Sequence, residues 1–375
     1  MDFGSIFILN LPSYTIIAFN MKIFSIFTLF LLYSTLLNAQ TASKDTVKVL
    51  SQKDMQAAEL KYNEAYILLQ SNKNAEAITK FAEAISIKAN FPEAYYNRAV
   101  AKIASDDLVG CINDLNRVIT LKPEPKYFHA RGVARFKYKD FSGALEDFGK
   151  SIAAGKSTFL HESHYYTGLI YFNQKKNSEA IKSLSAALQA KPDFLYALHD
   201  RAAVYFAMGN YTDAHSDYSS ILRVNPKFTS AYINNGRVFI AEKNYEAAAL
   251  SFENAIKYDS NAIAAYINLG NLSLSQQKFD QSAQYIASAI ELNAQSAQAH
   301  LAQANLWMAQ MNYSGALAEF NESIKKDASN PIAFLNRGIC KEQLRDKKGA
   351  CDDWNQASGL GSSLADQFLG AQCKK

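Results

Sequence analysis

The sequence predicts an all-α fold, a superhelix of about nine stacked helical hairpins closed by a C-terminal capping helix. Three observations carry that expectation. The first is self-similarity at a spacing of thirty-four residues, which sets Ala65, Ala99, Gly132, Gly168, Ala202, Gly236, Gly270, Ala304 and Gly338 in one column. Twelve residues later stand Ala77, Cys111, Ala144, Ala180, Ala214, Ala248, Ser282, Ala316 and Ala350, and four beyond those a bulky column runs from Phe81 through Phe148 and Phe252 to Trp354. A fixed repeat of this period is the sign of a stacked hairpin array. The second observation is helical spacing inside each unit, as in Tyr232, Gly236 and Phe239 followed by Tyr245, Ala248, Phe252, Ala255 and Ile256. Alternation of period two is not sustained in the repeats, which argues against strands. The third is punctuation: Gly209-Asn210 and Pro123, Pro192 and Pro226 fall where hairpins turn or end.

Residues 1–39 read as a secretory signal. Met21-Lys22 is followed by an apolar run from Ile23 to Tyr33, a polar step at Ser34-Thr35, and Leu37-Asn38-Ala39 before Gln40. Residues 1–20 carry no Lys or Arg, so translation is expected to begin at Met21. The run resembles export signals of the Bacteroidetes type, which often end in Asn-Ala-Gln. An uncleaved membrane anchor is the competing reading, but Asn10, Pro12 and Asn20 leave no long apolar span upstream. After cleavage no membrane span is expected. Residues 40–57 form a leader that runs into the first helix, residues 58–362 the nine units, and residues 363–375 a capping helix whose Leu364, Phe368 and Leu369 make an apolar stripe.

The columns are small, small and large because two antiparallel helices approach closely only where side chains are short, and a bulky residue must then fill the groove beside the contact. They resemble the tetratricopeptide repeat, and Ala265-Tyr266-Ile267-Asn268-Leu269-Gly270-Asn271 is close to that family's first-helix signature. The resemblance covers units beginning at 58, 92, 125, 161, 195, 229, 263, 297 and 331. The closing Pro is present in only three of them, and Lys61, His164 and His300 stand in the leading aromatic column. A further regularity supports the register. Arg98, Arg131, Arg201 and Arg337 precede the first column, and sixteen residues later the same units carry Asp114, Asp147, Asp217 and Asp353; the first unit reverses the signs with Glu64 and Lys80. Charges that switch together imply an ion pair within each hairpin.

The net charge of +4 is small for 375 residues and is not clustered, so nucleic acid is not indicated. The six histidines are scattered. His161-Glu162-Ser163-His164 has helix-compatible metal spacing, but there is no HExxH and no cysteine nearby, and His164 simply replaces an aromatic. No phosphate-cradling glycine loop or nucleophile elbow is present. Neither an enzyme nor a metal nor a cofactor is expected.

Binding is the better expectation. The resemblance implies that first helices line a groove and that outward positions recur there. Two residues before the Gly/Ala column stand Asn63, Asn97, Asp200, Asn234, Asn268 and Asn336, interrupted by Ala130, Tyr166 and Ala302. An amide offers both a donor and an acceptor, so such a ladder can match peptide backbone without reading sequence. Beside it lie Tyr96, Phe136, Tyr165, Phe172, His199 and Phe206 in units two to five, with Arg237, Asn271 and Asn305 further on. Aromatic walls suit protein segments, although packing between helices is an equally good use of them.

Four cysteines remain. Cys111 sits in a small-residue core column. The stretch Gly349-Ala350-Cys351-Asp352-Asp353-Trp354 with a terminal Cys373 resembles an ending common among exported repeat proteins of Bacteroidetes, which implies a Cys351–Cys373 disulfide; Cys340 is the rival partner, and free thiols the third possibility. Taken together, the expectation is an exported, periplasmic or secreted scaffold that binds a protein or peptide partner. The alternative is an accessory subunit that positions an envelope enzyme or secretion machine.

Overall fold

A computed structural model describes residues 50–155 and 157–373. The signal, the start at Met21 and most of the leader lie outside the described residues. The chain divides into two compact units, one ending at Ser105 and the other beginning at Asp106. The first holds α1 (Gln52–Gln70), α2 (Asn74–Ile87) and α3 (Pro92–Ala104). The second begins with α4 (Leu108–Leu121) and continues with the pairs α5 (Pro125–Lys137) and α6 (Phe141–Ala153), α7 (Leu160–Asn173) and α8 (Asn177–Ala190), α9 (Leu195–Ala207) and α10 (Tyr211–Val224). It goes on through α11 (Thr229–Ala241) and α12 (Tyr245–Tyr258), α13 (Ile263–Ser275) and α14 (Phe279–Leu292), α15 (Ala297–Ala309) and α16 (Tyr313–Lys326), α17 (Pro331–Gln343) and α18 (Lys347–Gly359), to the short α19 (Ser363–Phe368) and a π-helical turn over Leu369–Cys373. Among the described residues there is no strand, and the all-α class is the one expected.

The columns explain the packing. All nine bulky residues, from Phe81 to Trp354, are at most 1% exposed. Where the residue sixteen positions earlier is glycine, as in five of the hairpins, the bulky side chain lies against it. A Cβ on Gly132 would meet Phe148 at 2.7 Å, and one on Gly338 would meet the Trp354 indole at 2.5 Å. The small column is therefore the seat of the large one, across the two helices of one hairpin. Ser282 is tolerated among the alanines because its hydroxyl donates to the Gly270 carbonyl at 2.9 Å, which satisfies a buried polar group.

Turn chemistry recurs at the same period. Asn72, Asp106, Lys139, Lys175, Lys243, Gln277, Met311 and Arg345 all have φ between 57° and 68°, and Gly209 takes the ninth such turn at 76°. In the second unit the next residue caps the following helix where it has a short polar side chain. Asp107, Asp140, Asn312 and Asp346 accept from the backbone N–H of Gly110, Gly143, Gly315 and Gly349 at 2.9–3.0 Å.

The charge pairs lie where their co-variation put them. Arg131, Arg201 and Arg337 each donate twice, from Nε and Nη2, to Asp147, Asp217 and Asp353 at 2.6–2.8 Å. In the first hairpin Lys80 stands 3.4 Å from Glu64, within a cluster that adds Lys61 and Glu83. Arg98 and Asp114 fall in different compact units.

At the carboxyl end, α19 and the π-helical turn lie against α18, with Phe368 stacked on Trp354 at 4.9 Å and Ala365 fully buried. Cys351 and Cys373 form a disulfide with a Cα separation of 5.9 Å. Cys340 is a buried thiol whose pKa burial pushes up to about 11. Opening the disulfide with Cys373→Ser is expected to cost about 3 kcal/mol in the chain-entropy picture, for a loop of 22 residues. The loss should be confined to α18 and α19 in hydrogen exchange. In native protein, maleimide should label none of Cys340, Cys351 and Cys373; labelling of Cys373 without reductant would contradict the linkage.

Candidate interaction face

The expected ladder residues lie on the first helix of their hairpins. Asn63 is exposed on α1, and Asn97, Asp200, Asn234, Asn268 and Asn336 are half-buried on α3, α9, α11, α13 and α17. They are not a uniform row of open amides. The residue three before the small column in one unit reaches the ladder residue of the next, thirty-five positions on. Asn97 Nδ2 donates to the Tyr62 hydroxyl at 2.8 Å. The Tyr165 hydroxyl donates to Asp200 Oδ2 at 2.7 Å. Asn234 Nδ2 lies 2.8 Å from His199 Nε2, and His199 Nδ1 lies 3.0 Å from Asp200 Oδ1. Tyr165, Asp200, His199 and Asn234 thus form one continuous polar chain across α7, α9 and α11. Burial, and then the negative charge of Asp200, hold the Tyr165 phenol well above its ordinary pKa, so it remains a donor.

The chain stops at Ile233. An isoleucine offers no partner to the next ladder residue, and Asn268 has no side-chain hydrogen bond among the described residues. Asn336 escapes the same fate by donating to Asn305 Oδ1 at 2.9 Å. Beside Asn268, Asn271 is likewise half-buried and, among the described residues, unbonded, and Arg237 has no carboxylate of a described residue within ion-pair distance. This differs from Arg131, Arg201 and Arg337, which are consumed inside their hairpins. Apart from Asn63, exposed on α1, the ladder and neighbouring polar groups without a partner among the described residues lie on α11 and α13.

The expected aromatic wall does more packing than the resemblance implied. Phe136 contacts Phe141 at 5.8 Å and Tyr166 at 5.2 Å. Tyr165, Phe172 and Phe206 each pack on the buried cluster around Leu184, Tyr218 and Val238. Tyr96 is half-buried on α3. Phe136, Tyr165, Phe172 and Phe206 are thus half-buried rings that take part in packing between helices.

The histidine motif on α7 is structural. Ser163 is fully buried and lies between His129 Nδ1, at 2.9 Å, and Ser151, to which it donates at 3.1 Å; Glu162 stands 3.1 Å from His129 Nε2. Hydrogen bonding to His129 lowers the Glu162 pKa, whereas burial lowers those of His161 and His164. Ser163 is fully buried, so its hydroxyl is enclosed within this Ser–His–Glu contact. Among the described residues no group of three or more His, Cys, Asp or Glu could hold a metal ion, and no helix is long and apolar enough to cross a membrane.

Comparison with known proteins agrees with this architecture. The family described as TPR repeat matches residues 65–104 and 168–209, and that described as tetratricopeptide repeat matches residues 199–266 and 267–331, together more than half of the chain. Tetratricopeptide repeat protein 13 of Homo sapiens is 32% identical over 130 residues, 34% of this chain and 15% of that protein. Tetratricopeptide repeat protein 36 of Mus musculus is 32% identical over 110 residues, 26% of this chain and 58% of that protein. The matched stretches thus span less than two thirds of either relative. A tetratricopeptide repeat protein from Parabacteroides merdae superposes with a TM-score of 0.58 at 19% identity, over 67% of this chain and 99% of that one. The Cut9-Hcn1 hetero-tetramer of APC/C gives 0.53 at 11% identity, over 84% and 76%. At these identities the likeness is one of fold. Columns, hairpins and family matches agree: the chain belongs to the tetratricopeptide-repeat family.

Proposed function

We propose that this protein is a non-catalytic interaction scaffold of the cell envelope, periplasmic or secreted, whose first helices take up a protein or peptide segment. Tetratricopeptide repeats generally mediate protein–protein interaction. The observation that carries the finer reading is the set of unpartnered polar side chains on α11 and α13, Arg237, Asn268 and Asn271, on a face where other polar groups are tied. A half-buried amide without a protein partner is a vacant donor and acceptor suited to backbone. Export is supported by the signal-like run from Met21 to Ala39 and its Bacteroidetes-like ending, and by a disulfide, which persists in oxidising compartments.

The test is affinity capture with the repeat region, identification by mass spectrometry, and then titration of the captured protein. Replacing Asn268 and Asn271 together by Ala should weaken that partner by about 1–3 kcal/mol and leave the melting temperature unchanged. Asn234→Ala should instead lower the melting temperature, because it strips a bond from His199. Unchanged partner affinity in the double variant would remove the ladder from consideration.

A further inference from the structure

A recess of about 330 Å³ opens between the starts of α9 and α11, and three of its walls are the rings of Phe194, Tyr196 and Phe228. Tyr196 is 62% exposed and stands edge-on to Phe194 at 6.1 Å. Asp200 lies four residues further along α9, where a helix brings it beside Tyr196. The other two rings lead to the same carboxylate. Phe194 packs on Tyr165 at 5.1 Å and Phe228 on His199 at 6.0 Å, and Tyr165 and His199 are the two residues bonded to Asp200. The recess therefore has aromatic walls and an acid at its inner end. Among the described residues no Lys or Arg lies within ion-pair distance of that acid, and the adjacent Arg201 is spent on Asp217. His199 Nε2 accepts from Asn234, which places the ring proton on Nδ1, toward Asp200. The repeat does not require the charge, since Asn63, Asn97, Asn234, Asn268 and Asn336 hold the same column elsewhere.

We propose that this recess takes up an arginine side chain of the bound segment, with its stem along Phe194 and Tyr196 and its guanidinium on Asp200. The proposal rests on the first helices being the binding face, but not on the amides of α11 and α13. Three features select arginine. A half-buried carboxylate without a counter-charge favours a cation over an apolar or acidic tip. Each Asp200 oxygen accepts one bond, Oδ1 from His199 and Oδ2 from Tyr165, so an acceptor site remains on each; two parallel N–H groups of a guanidinium match that pair, whereas an ammonium offers no such fork. Aromatic faces attract cations and stack the planar guanidinium. One cation already stands over these rings: Lys191 Nζ, at the exposed rim, is 5.6 Å from the Phe194 centroid and has no carboxylate of a described residue within ion-pair distance. Asp193, also at the rim, adds a second acid along the path of an incoming base.

Three capped pentapeptides, identical except for a central arginine, lysine or norleucine, test this when titrated into the full chain with the aromatic resonances followed by NMR. The arginine peptide should shift Tyr196 and Phe228 saturably, the lysine peptide should bind more weakly, and the norleucine peptide should leave both unmoved. Asp200→Asn, which keeps the shape and removes the charge, should weaken the arginine peptide by about tenfold or more, as expected for a charge-assisted hydrogen bond. Tyr196→Leu, at an exposed ring, should weaken it by about threefold and leave the melting temperature unchanged. Replacing Asn268 and Asn271 by Ala should not alter it, so a failure of the amide ladder with the captured partner and a failure of this recess are separate results. An arginine peptide that binds no better than norleucine, that ties with lysine, or that is indifferent to Asp200→Asn and Tyr196→Leu would overturn the proposal.

Discussion

Asp147→Ala is expected to lower stability by about 3–5 kcal/mol, the cost of breaking a buried ion pair from one side. Asp147 is fully buried and accepts three charged hydrogen bonds, two from Arg131 at 2.6 and 2.8 Å and one from Arg135 Nη1 at 2.8 Å. Removing the carboxylate leaves Arg131 with Asn116 as its remaining acceptor, while Arg135 keeps Asp140 at 3.6 Å and the Gly143 carbonyl at 3.2 Å. Asp217 and Asp353 occupy the same column but are 4% and 3% exposed; Asp217 is held by Arg201 alone, and Asp353 by Arg337 and Lys341. Alanine should therefore cost most at Asp147. Denaturant titration of the three variants, with hydrogen exchange to locate the loss in α5 and α6, measures the order. A cost below about 1 kcal/mol at Asp147 would class it with exposed surface pairs and contradict its burial.

Gly236→Leu comes second. A Cβ alone would lie 2.5 Å from Phe252 Cε1 and 2.8 Å from two more ring atoms, and that ring is itself fully buried. The phenyl group has no solvent side to move toward, so the helices must part. The expected cost is at or above the upper end of about 1–3 kcal/mol for overpacking. Phe252→Ala in the same background should recover much of it, although either change alone is destabilising. That non-additivity reports contact between the two sites. Additive losses would mean that residues sixteen apart do not face each other.

Much of this was legible in the sequence because each column is a repeated steric demand. A glycine that must seat a phenylalanine, and an arginine that appears only with its aspartate, are visible without coordinates. The ladder was harder to read. Whether Asn234 or Asn268 is open depends on the residue thirty-five positions earlier, His199 in one case and Ile233 in the other. That signal crosses from one unit to the next, whereas the glycine–aromatic and Arg–Asp pairings act within one hairpin. The aromatic positions were ambiguous for a different reason: a ring at the edge of a hairpin has the same helical spacing whether it packs or stands open, and Phe136 and Phe206 both pack.

The turns have a further consequence. Eight of nine hairpins place an ordinary residue where the backbone favours glycine, at about 1 kcal/mol or more for each left-handed residue. Part of that cost is recoverable by a single change to glycine, less the entropy glycine loses on folding. The positions are far from one another and outside the helix faces, so such gains should be independent. A chain built this way can change the outward residues of its first helices, losing a little stability with each change, and regain it in a turn outside those faces. The freedom of the helix faces to change is in this sense held in the turns.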